Sequence, residues 1–211
     1  MLKLSYSSIS NYLQCPRKFK EVNVDYRFKD GSFATHKGED VHKKIEEYII
    51  GISDTPPIEN HAIIENLRVT YKNLPAGYGI GVEEMFAVDI NGKSVAYKSP
   101  DAVLRGKIDA YVITPDRMIV FDWKTGKRRD NRMQATAYDI LAGHLMDGQR
   151  DFVFDYLKEG RDPAIKVSKE DRDNFWKIIN TIENATEFPE RPSPLCAWCP
   201  VPKAFCKFKK E

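Results

Sequence analysis

Apolar residues recur along this chain at two spacings, and the change from one to the other divides it into regions. Over 38–50, Val41, Ile45, Tyr48 and Ile49 fall on one stripe of an amphipathic helix. Residues 5–20 also read as helical, with Ser5 or Ser7 as the cap and Pro16 forcing a break or restart just after Cys15. Another helix follows Pro57 and runs through Ile63, Ile64 and Leu67 to about Tyr71. Then the period shortens. GVEEMFAVDI (81–90) and KSVAYKS (93–99) flank Asn91-Gly92, a tight hairpin turn. VLRGKIDAYVIT (103–114) and RMIVFDWKT (117–125) flank Pro115-Asp116, a second hairpin. Helical spacing returns over 131–147 with Met133, Ala137, Ile140, Leu141 and His144, and DFVFDYL (151–157) reads as a strand. Ser168 and Asp171 form a capping box that opens a helix to about Ala185.

Helices, an antiparallel meander, a helix, a strand and a helix predict an α/β fold: a central mixed sheet flanked by helices. No sharp linker interrupts it, so one domain over 1–211 is expected. Its core is 38–157, and 1–25 and 186–211 meet as a cysteine-ligated region. The 211 residues are 42% hydrophobic and 30% charged, ordinary for a globular chain. A net charge of +2 does not mark the whole molecule for a polyanion, so any nucleic-acid surface must be local. No apolar stretch approaches the roughly 18–20 residues that span a bilayer, and MLKLSYSSIS lacks an apolar signal core. A cytoplasmic location is expected, where thiols stay reduced.

The strands carry charge where a core strand should not. Ile119-Val120-Phe121 runs into Asp122 and, two residues on, Lys124, which shares its face. Asp109 sits among Ile108, Ala110 and Val112 on the neighbouring strand, and Glu83 lies in VEEMF. Burying such charges is costly unless they are paired or used. Two carboxylates brought together across adjacent strands repel unless a divalent cation lies between them. Taken singly, each acid also reads as a solvent-facing residue of a half-exposed strand.

Asp-x-Lys at the end of an apolar strand, after an acid on the preceding strand, resembles the PD-(D/E)xK nuclease superfamily. The resemblance is closest to its RecB-type branch, which includes iron–sulfur CRISPR-adaptation nucleases and phage exonucleases. The markers come in order: Gly38-x-x-x-His42, Glu83 opening Glu-x-x-Phe, Gly106-x-Ile108-Asp109, Asp122-x-Lys124-Thr125-Gly126, and Gln134-x-x-x-Tyr138. They cover roughly residues 4–208. The resemblance implies a restriction-endonuclease-like core with Mg²⁺ or Mn²⁺ held by His42, Asp109 and Asp122. It further implies Lys124 and Glu83 as catalytic groups, with Gln134 and Tyr138 orienting Lys124 or a phosphate. Glu84, pointing to the opposite face, is the alternative to Glu83. The expected substrate is DNA, single-stranded or at duplex ends, cut by an exonuclease to leave a 5′-phosphate. Protein partners in CRISPR adaptation or phage recombination are equally consistent with it. The alternative is a non-catalytic DNA-binding or adaptor module on the same fold. Lys127, Arg128, Arg129 and Arg132 form a basic loop after the active strand and are the expected phosphate contacts.

Cys196-x2-Cys199 and Cys206 lie in the tail and Cys15 near the start. Four thiolates in a reducing compartment suit metal ligation, by zinc or an iron–sulfur cluster. The one-plus-three arrangement, with Cys15-Pro16 as its first element, resembles the iron–sulfur members of the branch and implies a [4Fe–4S] cluster. The last gap holds six residues where the family more often has five. Pro200 and Pro202 can absorb the difference.

Overall fold

The computed structural model describes residues 2–29 and 33–209, the side chains of 33–37 excepted. Six strands form one mixed sheet in the order β2-β1-β3-β4-β5-β6. They are β1 (Gly79–Val88), β2 (Ser94–Val95), β3 (Leu104–Ile113), β4 (Arg117–Lys124), β5 (Gln149–Tyr156) and β6 (Gly160–Arg161). β4 and β5 are parallel, because α5 (Arg132–Ala142) carries the chain back between them; the other pairs are antiparallel.

The layers follow from the apolar stripes. α3 (Phe33–Ile49) and α4 (Ala62–Lys72) bury Ile45, Ile49, Ile64 and Leu67 against Ala110 and Trp123 on one side. On the other, α1 (Tyr6–Gln14), α5 and α6 (Lys169–Glu183) pack Ile9, Leu141, Phe175 and Ile179 against Val120 and Phe154. Gly106 makes that contact close: a Cβ there would sit 2.5 Å from Leu141 Cδ1.

Several boundaries differ from the pattern-based expectation. The helix expected over 5–20 is α1, capped by Ser5, then a short α2 (Pro16–Phe19) and a π-helical turn over Lys20–Val24. Pro16, which lacks an N–H, restarts the helix rather than ending it. α3 begins at Phe33, ahead of residue 38, and α4 begins only at Ala62. The strand expected over 93–99 shrinks to two residues, because Ser99-Pro100 leads into a turn and the chain rejoins β1 through Val103 N–H to Val88 O. α5 stops at Ala142, where Gly143 follows, short of residue 147.

One departure matters for the site. Ile80 and Val82 pack in the α3/α4 layer, but Phe86 and Val88, of the same parity, pack under α5. Strict alternation would put all four on one face. The switch falls at Glu83, whose φ of 55° is left-handed. β3 switches opposite it: Ile108 packs under α5, and Ala110 and Val112 pack with α3/α4. Asp109 is at that point.

Candidate active site

The two switch points bring acids to one spot. Ligand atoms of His42, Glu83 and Asp109 lie within 4.8 Å of one another. His42, on α3, places Nδ1 3.3 Å from Asp109 Oδ2 and 4.0 Å from Glu83 Oε1. Gly38, one helical turn earlier, lets α3 approach the Thr125-Gly126 turn: a Cβ there would meet Thr125 Oγ1 at 3.2 Å. β3 and β4 are paired over Ala110–Ile113. Past that ladder the Trp123 N–H donates to Asp109 Oδ2 at 2.8 Å, so the carboxylate takes a ladder partner's place. Glu84 instead accepts the Tyr111 hydroxyl at 2.8 Å and is exposed, away from the triad.

β4 delivers Asp122 and Lys124 next to this triad, and α5 braces them. Gln134 Nε2 donates to Asp122 Oδ1 at 2.7 Å, and its Oε1 accepts from Lys124 Nζ at 2.8 Å. Tyr138 donates its hydroxyl to the same Oδ1 at 2.7 Å and accepts from Gln134 Nε2 at 2.9 Å. Lys124 Nζ lies 2.6 Å from Asp122 Oδ2, an ion-pair contact without hydrogen-bond geometry. Asp122 is thus beside, and not within, the group gathered at 4.8 Å.

Electrostatics mark the cluster as short of positive charge. Burial, then the charge of Asp122, raises the Asp109 pKa above the usual carboxylate value. Burial raises Glu83 too, opposed by Lys107 and reinforced by Asp109. Burial pulls the His42 imidazole down, but its contact with Asp109 and the charges of Asp109, Asp122 and Glu83 outweigh that and raise it. Glu83 Oε1 is buried without a hydrogen-bond partner, as is Asp122 Oδ2. Buried orphan oxygens around an imidazole fit a hard divalent cation.

The site opens into a groove lined by His42, Lys124, Thr125, Lys127, Arg129 and Gln134. The basic loop divides here. Lys127 and Arg129 line the groove, whereas Arg128 pairs with Asp162 at 2.5 Å and Glu159 at 3.3 Å, and Arg132 with Asp171 at 3.2 Å. Tyr6 and Ser7, from α1, complete the wall and were invisible to motif reading. Burial raises the Tyr6 hydroxyl, while Arg129 lowers it. The only sequence signal for them was their place at the start of a capped helix.

The cysteines meet elsewhere. Cys15, Cys196, Cys199 and Cys206 line one small cavity with Arg17, Lys18 and Val201. All four are free thiols. The Arg191 and Ser193 N–H groups donate to the Cys15 and Cys196 sulfurs, each at 3.3 Å. Burial raises the Cys199 thiol, and Cys15 and Cys206 add to the rise.

The family model described as "PD-(D/E)XK nuclease superfamily" matches residues 3–207. The solved structure of SSO0001 is similar at 13% identity with a TM-score of 0.53, over 100% of this chain and 88% of that one. A structure from Eubacterium rectale, described as a "Putative exonuclease", is similar at 13% identity with a TM-score of 0.49, over 93% and 86%. No curated protein matches the sequence.

Proposed function

Because the chain belongs to the PD-(D/E)XK nuclease superfamily, we propose that it is a divalent-metal-dependent deoxyribonuclease, an exonuclease acting on single strands or DNA ends. The gathering of His42, Glu83 and Asp109 around a buried, unpartnered carboxylate oxygen carries this reading. Those three residues would hold the ion, and Asp122, whose Oδ2 is ion-paired with Lys124 but accepts no hydrogen bond, is the adjacent carboxylate that would complete the set. A bound Mg²⁺ or Mn²⁺ would supply Lewis acidity toward a phosphodiester oxygen and make a coordinated water more acidic. Lys124, fixed by Gln134 and Asp122, orients the attacking water or meets the charge developing on the phosphate. Gln134 and Tyr138 keep Asp122 aimed. Lys127 and Arg129 hold the strand by its backbone, which favours sequence-independent cutting.

We infer that Cys15, Cys196, Cys199 and Cys206, which line one cavity, ligate a [4Fe–4S] cluster, with zinc as the alternative. A cluster there staples the chain ends together.

The test is degradation of end-labelled single-stranded and duplex DNA with Mn²⁺ by wild type, Asp122→Ala and Lys124→Ala. Metal-dependent shortening by wild type, lost by at least about 10³-fold in both variants, is expected. No degradation by wild type, or undiminished activity in the variants, rejects the reading. A brown protein absorbing near 400 nm carries iron–sulfur; a colourless, zinc-containing one rejects the cluster.

A further inference from the structure

The metal triad has a cation on its outer flank that no motif includes. Lys107 lies on β3, two residues before Asp109, and opposite Met85 of β1. Its half-exposed side chain reaches diagonally across the two strands to form an ion pair with Glu83 Oε2. Glu83 has two oxygens, and they are treated differently. Oε2 is taken by Lys107; Oε1 faces His42 Nδ1 at 4.0 Å and has no hydrogen bond. Glu83 also needs external restraint. Its left-handed backbone is a conformation that glutamate seldom adopts and that persists only where the surroundings impose it. The carboxylate sits at the end of a flexible side chain.

We propose that Lys107 is a positioning residue for the metal site: by holding Glu83 Oε2 from outside, it fixes Oε1 toward His42 and Asp109 as a pre-aimed ligand. The proposal rests on the metal-nuclease reading above. It differs from the role of Lys124, which lies at the other end of the cluster against Asp122 and lines the groove. The geometry also sets the sign of the effect. If Lys107 contributed only charge, removing a cation beside a divalent-ion site would tighten ion binding. If it orients Glu83, removing it weakens binding, as loss of an outer-shell partner does in other metal sites.

Mn²⁺ binding, measured by calorimetry without DNA, decides between them. The variants are Lys107→Met, Lys107→Arg, Glu83→Gln and the Glu83→Gln/Lys107→Met double, with Lys107→Gln in reserve should the methionine variant not fold. Lys107→Met is expected to weaken Mn²⁺ binding about tenfold or more, and Lys107→Arg to regain most of the loss. Once Glu83 is glutamine, Lys107→Met should change little, because the residue acts through that carboxylate. Tighter or unchanged binding in Lys107→Met, or an undiminished loss in the Glu83→Gln background, overturns the proposal. A wild type that binds no Mn²⁺ overturns the metal-nuclease reading and this proposal with it.

Discussion

Asp122 is buried on a sheet strand, takes two hydrogen bonds from α5 and lies against Lys124. The four cysteines are half-buried on turns at the two ends of the chain, and the segment that carries three of them has one short 3-10 turn, Pro194–Trp198. Trp198, between two of those cysteines, is 80% exposed. The first region is braced by elements that fold for other reasons. The second is joined by a few contacts across the whole chain length, such as Arg191 to Cys15 and the Phe28–Phe205 ring pair at 5.2 Å. A catalytic centre can therefore exist as geometry before its ion arrives, whereas the cysteine region, with the cluster proposed above, would depend on that group to define it.

The largest test of this contrast removes each group in turn. Chelating the divalent ion should abolish cleavage and leave the fold intact, since Gln134, Tyr138 and Lys124 still brace Asp122. Cys199→Ser should do the reverse. It should bleach the absorbance of the proposed cluster and open the tail beyond about residue 186 to protease, while Mn²⁺ binding at the triad changes less than about threefold. Limited proteolysis and calorimetry on the same preparations read both. Loss of Mn²⁺ binding in Cys199→Ser would mean the two regions are one cooperative unit.

The two regions were also unequally legible. Asp122-x-Lys124 showed itself because charge interrupted an apolar run, and Asp109 because it sat among apolar neighbours. Gln134 and Tyr138 came from the resemblance, helical spacing adding only that they share a face, and that shared face is what lets both reach one oxygen of Asp122. Glu83 could not be separated from Glu84 by alternation, because alternation fails there: the left-handed residue moves the strand from one layer to the other. Nor could the basic loop be divided. Which arginines face the groove depends on acids more than 25 residues downstream in β5–β6 and α6, and local pattern carries no trace of them.

Proton competition sharpens the picture of the triad next. His42, Asp109 and Glu83 all have raised pKa values in the ion-free fold. A group whose folded value is raised stabilises the fold below its unfolded value, and that contribution is lost as pH rises. The ion-free protein should thus lose stability at this site from the acid side through neutrality. Mn²⁺ needs the same groups deprotonated, so its binding strengthens over that range. The rise in Tm on adding Mn²⁺ should grow with pH, most steeply around and above about pH 6.5, the ordinary imidazole value. His42→Asn should flatten the slope. A Tm increment independent of pH would remove His42 from the ligand set.

A smaller effect separates the two braces on Asp122. Gln134→Ala frees Lys124 as well as Asp122, because one amide holds both. Tyr138→Phe removes the hydroxyl's two hydrogen bonds, one to Asp122 and one from Gln134, leaves Gln134 bound to both Asp122 and Lys124, and keeps the ring packed in the core. Turnover should fall about 100-fold for the first and about 3–10-fold for the second, with single-turnover rates as the measure. Equal losses would mean that Lys124 is positioned by Asp122 alone.

The smallest contrast lies within the basic loop, between adjacent arginines. Arg129 lines the groove and has no carboxylate partner among the described residues' ion pairs. Arg128 spends its guanidinium on Asp162, Glu159 and the carbonyls of Glu159 and Gly160, closing the loop onto the β5–β6 turn. A groove-facing arginine on a phosphate releases about one counterion, so Arg129→Ala should weaken DNA binding about tenfold and lower the salt slope by about one. Arg128→Ala should leave the slope unchanged and cost affinity no more than about twofold, because exposed ion pairs contribute little and its charge is already partnered. Binding isotherms at several salt concentrations, with the ion omitted so that no strand is cut, give both slopes. Equal slopes for the two variants would show that the strand runs over the loop's outer face and not along the groove.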